Sequence, residues 1–384
     1  MVKIALAHKR LDLNGGTERD LFKTAEGLRD LGHSVHLFCC EYGVAPPQGV
    51  TAHRVPTVPL GRTARLWSFA LRAPKLIAQA DCDVTMGFGR MADVDVLRCG
   101  GGTHRGFLNR LAEEEGSYRR IWQSISIYHR SLLILERRQF AARRVKKIIA
   151  VSDEVKRDVL NQYNVPADKV VVLYNGVDDR RFHPCRRGDF RKAIRARWKI
   201  PLEAPLVLFV GSGFRRKGLD RLLTAWQFSE FAQVYLLVVG SDARLGRYQA
   251  KAQTIAPARI VFAGRQDAIE DFYAAADVVA LPALQEAFGN VVLEALASGL
   301  PVLVSRAVGA ASVLRGTLID GVIDRPDDSE ELSKKLLALL AKAHDGGLRQ
   351  EARKIGENYS WECHFRQLDS LLREIRATAS ASFS

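Results

Sequence analysis

The sequence predicts an α/β protein made of two Rossmann-like, doubly wound parallel-sheet domains that face a central cleft. Three observations predict it. Short β-branched runs alternate with longer amphipathic stretches along nearly the whole chain, an arginine- and proline-bearing segment interrupts that alternation once, and glycine-rich turns recur where strands hand over to helices. A repeated strand, helix, strand order implies right-handed crossovers and therefore a parallel sheet. The length of 384 residues suits two or three domains, each able to bury a full core.

Taken in order, Lys3 to His8 reads as a strand, Thr17 to Asp30 as an amphipathic helix and Ser34 to Cys40 as the next strand. Apolar runs at Val84 to Gly87, Val94 to Cys99, Lys147 to Val151 and Val170 to Leu173 extend the same sheet, and Tyr118 to Arg144 reads as a long helix. These elements make a first domain, residues 1–178. Between Asp178 and Pro205 the chain changes character, with His183-Pro184, clustered arginines and a short helical run from Phe190 to Lys199, and the linker is placed there. A second series of strands follows at Leu206 to Gly211, Val234 to Gly240, Arg259 to Phe262, Val278 to Leu281, Pro301 to Val304 and Gly321 to Ile323, giving a second domain over residues 179–361. The small-residue tail from Ala377 to Ser384 reads as frayed.

Composition narrows the function classes. No run of eighteen apolar residues is present, and the opening Met1-Val2-Lys3-Ile4 runs straight into a strand without a signal-peptide pattern, so a cytoplasmic protein is expected. The six cysteines lack the paired spacing of a zinc site and read as buried thiols in a reducing compartment. The net charge of +14 is uneven: residues 1–185 hold 29 Lys and Arg against 20 Asp and Glu. Such a field favours anionic partners, whether nucleic acid, phosphorylated sugars or an anionic lipid surface.

In open parallel sheets ligands bind beyond the carboxyl ends of the strands, so the strand-to-helix loops should carry the chemistry. In the first loop, Asn14-Gly15-Gly16 precedes Thr17; the glycines let backbone N–H groups approach an anion, or form a tight turn with Thr17 as N-cap. A second loop, Gly211 to Gly218, has neither dinucleotide-fingerprint spacing nor a P-loop ending. Its Arg215, Arg216 and Lys217 crowd positive charge at a helix start, so Arg216 and Lys217 are candidate clamps for a diphosphate, unless all three face water. The third loop follows the strand Val278 to Leu281: Phe288-Gly289-Asn290 opens a helix that Gly299-Leu300-Pro301 closes. Glu286 lies before that helix and Glu294 about one turn inside it. Both can face one ligand at the helix start, each carboxylate accepting sugar hydroxyls while N–H groups near Phe288 to Val291 hold phosphate oxygens. Finally, Gly100-Gly101-Gly102-Thr103 precedes His104, whose imidazole is either presented at the cleft as a donor or proton shuttle, or structural.

These motifs, in this order, resemble the retaining glycosyltransferases of family 4, with the GT-B fold. The resemblance rests on Gly15-Gly16, Val151-Ser152, Tyr174-Asn175-Gly176-Val177-Asp178, the Gly211 to Gly218 loop, Glu286 to Glu294 and Gly299-Leu300-Pro301, and covers nearly the whole chain. Arg216-Lys217-Gly218-Leu219-Asp220-Arg221, Ala263-Gly264-Arg265-Gln266-Asp267 and Gln285-Glu286-Ala287 are more specifically similar to the lipopolysaccharide-core glucosyltransferases that act on the first inner-core heptose. The resemblance implies that Glu286 binds donor hexose hydroxyls and Glu294 the nucleotide ribose. Arg216 and Lys217, with N–H groups near Gly16 and across Phe288, Gly289 and Asn290, would neutralise the diphosphate. Arg265 would lie near the base and His104 would be the first-domain active-site histidine.

A transferred hexose leaves positive charge at its anomeric carbon and negative charge on the departing phosphate, which preorganised cations and N–H dipoles stabilise. The donor is expected to be UDP-glucose and the acceptor a phosphorylated or lipid-linked glycan, without a metal or other cofactor; the alternatives are a family 4 mannosyl- or N-acetylglucosaminyltransferase with another donor, or a non-catalytic basic module that binds lipid or nucleic acid. The last helix, residues 362–376, is expected to pack back on the first domain as in other GT-B chains. Nucleic acid is disfavoured because no aromatics interleave the basic residues. Arg137, Arg138, Arg143, Arg144, Lys146 and Lys147 read as one basic helix face. With Arg62, Arg65 and Arg72 beside Leu66, Trp67 and Phe69, that face either docks on an anionic inner leaflet or is an ordinary solvated surface.

Overall fold

The computed structural model describes residues 1–13, 15–91, 93–115 and 126–381. The chain forms two compact units, Met1–Tyr174 with His364–Ser384, and Asn175–Cys363.

In the first unit the strands are β1 (Lys3–Ala7), β2 (Arg10–Leu11), β3 (Ser34–Cys39), β4 (Glu41–Tyr42), β5 (Thr51–Arg54), β6 (Val84–Gly87), β7 (Val96–Cys99), β8 (Lys147–Ala150) and β9 (Val170–Val172). The main sheet has the order β5-β3-β1-β6-β7-β8-β9, every pair parallel, and β2 pairs with β4 apart from it. Because helices cover both faces, central strands such as Ile4-Ala5-Leu6-Ala7 are buried on both sides and read as continuous apolar runs. One face packs on Leu21, Ala25 and Leu28 of the helix Gly16–Asp30 and on Leu368, Leu372 and Ile375 of the helix Trp361–Ala381. Gly27 permits that packing: a Cβ there would meet the Phe365 ring.

Several expectations need correction here. The expected helix Tyr118 to Arg144 is observed as Ile127–Ala141, with Ser126 as N-cap accepting from His129 N; residues 118–125 lie outside the described residues. Arg143 and Arg144 therefore follow the helix end and Lys147 opens β8, so the six basic residues do not form one helix face. The helix Gly61–Gln79 was not anticipated, and it packs against Ile127–Ala141 through Arg138 over the Trp67 ring, while Arg62 lies over Tyr128. The tail does not fray from Ala377, since the last helix continues to Ala381. Only Cys39, Cys40 and Cys99 are buried; Cys185 is exposed, and Cys82 and Cys363 are partly so.

The second unit holds β10 (Leu206–Val210), β11 (Tyr235–Val239), β12 (Ile260–Gly264), β13 (Val278–Leu281), β14 (Val302–Ser305) and β15 (Val322–Ile323), parallel in the order β12-β11-β10-β13-β14-β15. The segment read as a linker is built into this unit. Its helix, Arg186–Arg197, carries Arg187, Arg191 and Arg195 four residues apart on one face, and all three converge on buried Asp277 at 2.8, 2.9 and 2.7 Å. The same guanidinium groups donate to the carbonyls of Ala275 and Ala276, where the helix Ile269–Ala275 ends and its last acceptors lack intrahelical donors. The boundary falls at Asn175 rather than 178 because Val177 bridges to Ser360 and Trp361 lies over Gly176.

Candidate functional site

In the second unit β10 is flanked by β11 and β13, so strand order reverses between β10 and β13, and the crevice there is the ligand position of a doubly wound sheet. The loops after these two strands are the Gly211 to Gly218 turn and the segment carrying Glu286. Gly211, Gly213 and Gly218 all have positive φ, at +141°, +73° and +86°, and Phe214–Lys217 form a single helical turn between them. Phe214 fixes that turn from below, its ring fully buried and its N–H donating to Asp242 Oδ2 at 2.8 Å.

The turn brings together residues that are 70 positions apart. Arg216 Nη1 donates to Glu286 Oε2 at 2.6 Å and to the Gln285 carbonyl at 3.1 Å, and Lys217 Nζ lies 3.8 Å from the same carboxylate oxygen. Leu284 N donates to the Arg216 carbonyl at 2.9 Å, which ties the two loops directly. Burial holds the Lys217 ammonium below its usual range, and Glu286 opposes that shift. Glu286 thus supplies an anion for the charge crowded at this turn, while Arg215 is exposed.

Glu286 is itself held by backbone: its N–H donates to the Ala307 carbonyl and its carbonyl accepts from Gly309 N at 3.0 Å. Gly289, φ +91°, is the N-cap of the helix Asn290–Ala297 and offers no side-chain acceptor to the first N–H groups. Phe288 is buried, and its carbonyl accepts from Ala310 N at 2.7 Å. Glu294, one turn in, accepts from the Tyr273 hydroxyl at 2.5 Å, and Asn290 Oδ1 accepts from Asn175 Nδ2 at 2.8 Å. Arg265 is exposed just past the carboxyl end of β12. Sequence reasoning did not anticipate Tyr273, which lies fully buried in a short helix and reads as core until its hydroxyl partner is known.

In the first unit strand order reverses between β1 and β6. After β1 come Gly15, the N-cap, and Gly16, the first residue of the helix Gly16–Asp30; Asn14 lies outside the described residues. The Glu18 carboxylate folds back over Gly15 and sits 3.6 Å from His8 Nε2. The His8 interaction lowers its carboxyl below the usual range, although partial burial opposes this.

His104 is not presented on a loop as expected; it is the first residue of the helix His104–Glu115. Its N–H donates to Glu136 Oε1 at 2.6 Å, and its Nε2 lies 3.0 Å from His129 Nδ1. Burial first, and then the positive charge of Arg90, push the imidazole down to about 4.

The metal-free expectation leaned on the absence of an Asp-x-Asp triad, and that is corrected here: the sequence holds two, Asp81-Cys82-Asp83 and Asp93-Val94-Asp95. Asp83 accepts from Lys3 N at 2.8 Å and Asp95 from Thr85 N at 2.9 Å, so both serve the ends of sheet strands. Among the described residues no helix is long and apolar enough to cross a membrane.

Two doubly wound units in one chain, the second with cations and a carboxylate at its switch point, define the GT-B class of glycosyltransferases. Residues 14–181 match the family described as Glycosyltransferase Family 4, and residues 190–359 match Glycosyl transferases group 1. The chain is a glycosyltransferase with the GT-B fold, its first part matching the Family 4 domain and its second the group 1 domain. It is 27% identical over 337 residues to the lipopolysaccharide glucosyltransferase WaaG of Escherichia coli K12, covering 86% of this chain and 87% of that one. It is 32% identical over 236 residues to a D-inositol 3-phosphate glycosyltransferase of Xylanimonas cellulosilytica, covering 56% of this chain and 54% of the relative. Among solved structures, WaaG superposes with a TM-score of 0.79 at 24% identity, covering 96% of this chain and 99% of the other. Anabaena HepE in complex with UDP-glucose gives 0.70 at 20% identity, covering 97% and 100%.

Proposed function

We propose that this chain is a retaining hexosyltransferase that moves glucose from UDP-glucose to a sugar hydroxyl of a lipid-linked glycan of the lipopolysaccharide-core kind. The observation that carries the reading is the convergence of Arg216 and largely buried Lys217 on Glu286 beside the open N-terminus of the helix Asn290–Ala297. A pyrophosphate fits such a place because it presents oxygens to both the cations and the N–H groups of a helix start that no side chain caps. Glu286 then turns its acceptor capacity to hydroxyls of the donor hexose, and Glu294, oriented by Tyr273, accepts from the ribose. Arg265 lies toward the base, and His104 meets the acceptor hydroxyl.

As the glycosidic bond to phosphate breaks, the leaving oxygen gains charge that Arg216, Lys217 and the helix N–H groups stabilise, with about 3 to 4 kcal/mol from a well-placed donor. The leaving phosphate takes the proton of the acceptor hydroxyl on the same face, so the anomeric configuration is kept without a covalent enzyme intermediate. These cations do the work of a divalent metal, and transfer proceeds in EDTA. The net charge of +14 favours an acceptor presented on an anionic cytoplasmic leaflet.

A donor panel of UDP-glucose, UDP-galactose, UDP-N-acetylglucosamine and GDP-mannose, with truncated lipopolysaccharide in anionic or neutral vesicles, tests the reading. Transfer from UDP-glucose to an α-linked product, faster on anionic vesicles at low salt and lost in Lys217→Ala, is the expected result. Transfer only from GDP-mannose, or a β-linked product, defeats it.

A further inference from the structure

We propose that His104 acts as an imidazole fixed in one orientation and one tautomer by two positioning residues, Glu136 and His129, both carried by the helix Ile127–Ala141. The inference rests on the transferase reading above and concerns the first unit alone.

The first N–H groups of the helix His104–Glu115 have no acceptors within the helix, which ordinarily makes such an end an anion site. Here the chain supplies the anions. Glu136, its side chain 0% exposed, accepts from His104 N at 2.6 Å and from Arg105 N at 3.1 Å. Asp158 accepts from Thr103 N at 2.7 Å, and Thr103 Oγ1 accepts from Gly106 N at 2.9 Å. With these donors engaged, the helix start is a fixed mount for His104 rather than a cradle for a phosphate.

Glu136 also accepts from the Tyr163 hydroxyl at 2.6 Å and pairs with Arg90 at 2.8 Å. One buried carboxylate therefore joins the loop after β6, the start of the His104 helix and the end of the helix Asp153–Gln162. A buried carboxylate persists only when its partners offset the loss of water, and removing them or it is strongly disruptive.

His129 sets the ring. Its Nδ1 lies 3.0 Å from His104 Nε2, and the two rings stack with centroids 5.1 Å apart. At that separation one nitrogen carries the proton and the other accepts, so the tautomer of one ring dictates that of the other. Among the described residues, the charged and titratable groups around His104 are Arg90 from the β6 loop, Glu136 and His129 from Ile127–Ala141, Asp158 and Tyr163 from the following helix, and Arg105 beside it. Burial and then Arg90 keep His104 neutral above about 4. A neutral ring offers either an N–H or a lone pair at Nδ1, and His129 decides which of these meets a sugar hydroxyl.

Nitrogen-15 NMR of histidine-labelled full-length protein reads the tautomer directly. In the native chain His104 should be a single neutral tautomer, and in His129→Phe, which keeps a stacking ring without its nitrogens, it should become a mixture. That variant and Glu136→Gln should lose about 10-fold or more in kcat with KM for the nucleotide sugar changed by less than about 2-fold. His129→Gln, whose amide can donate or accept, should recover part of the loss. An unchanged His104 tautomer in His129→Phe overturns the inference, as does a native kcat in that variant. Absence of any UDP affinity or sugar transfer in the native chain would instead sink the transferase reading, and the NMR comparison would still decide the coupling.

Discussion

Three guanidinium groups and the N–H of Leu206 all point at the carboxylate of Asp277, whose side chain is 2% exposed. Burial pushes its carboxyl up, but the hydrogen bond from Arg187 and the charges of Arg195, Arg191 and Arg187 more than reverse this, so it ends below its ordinary 3.8. A carboxyl with a lowered folded value adds stability that is present above the unfolded value and disappears as pH falls through the folded one. Asp277→Asn should therefore cost about 3 to 5 kcal/mol near neutral pH, the range for stripping one partner from a buried ionic cluster. Urea unfolding of both proteins checks this, and the gap should narrow once the pH drops below 3.8. An equal gap at pH 7 and in acid would show that the carboxylate's charge is not what matters. The four-residue spacing of Arg187, Arg191 and Arg195 was visible in the sequence, but a partner more than 80 positions away was not, and the segment read as a polar linker. Lys217 and Glu286 are legible locally, because Lys217 crowds with Arg215 and Arg216 just before Gly218 and Glu286 lies three residues ahead of the Gly289 that opens a helix.

At the level of elements, legibility followed burial. Strands covered on both faces, such as Val278–Leu281 and Val84–Gly87, appear in the sequence as apolar runs, broken in the second only by Thr85, and their sequence bounds match the structure. The edge strand Thr51–Arg54 is mostly exposed, so its polar sequence carries no such signal, and the two-residue strands Arg10–Leu11 and Glu41–Tyr42 are too short for any periodicity. The helix Gly61–Gln79 holds Pro74 in its interior, which argues locally against a helix. The candidate site was legible where a turn demands glycine. Gly218 has φ +86°, and a Cβ on it would strike the Pro282 carbonyl, part of the segment that leads to Glu286. Gly218→Ala should thus lose well over about 1 kcal/mol, since both the left-handed backbone and the close approach are refused. It should also lower kcat/KM, because Lys217 is the preceding residue. Gly246, inside the helix Leu245–Ile255 with open space around it, is the matched control. Gly246→Ala should be neutral or stabilising by about 0.5 to 1 kcal/mol. Thermal melts of the pair decide the matter: equal effects would mean the Gly218 turn tolerates a side chain and does not hold the two loops together.

For the whole molecule, the chain starts in one unit, builds the other, and ends in the first, so the last helix is bound to elements more than 300 positions earlier. Leu368 and Leu372 are fully buried and Ile375 is 3% exposed, all within the first unit's core. His33 Nε2 lies 2.8 Å from Asp369 Oδ1, while His33 Nδ1 accepts from Val2 N at 3.2 Å, which links the opening strand to the closing helix. Each of the three apolar side chains contributes about 1.5 to 3 kcal/mol by burial, a sum comparable with the roughly 5 to 15 kcal/mol that holds a typical domain together. A chain ending at Cys363 should therefore keep a cooperative transition for the second unit, whose residues Asn175–Cys363 all remain, while the first unit loses its own. The exposed sheet face should bind a hydrophobic dye, as expected of a compact state without fixed packing. A chain ending at Arg376 retains Leu368, Asp369, Leu372 and Ile375 and should melt like the full protein. Calorimetry of the three lengths separates the cases: if the chain ending at Cys363 shows both native transitions, the returning helix is an appendage and the first unit's core is complete without it.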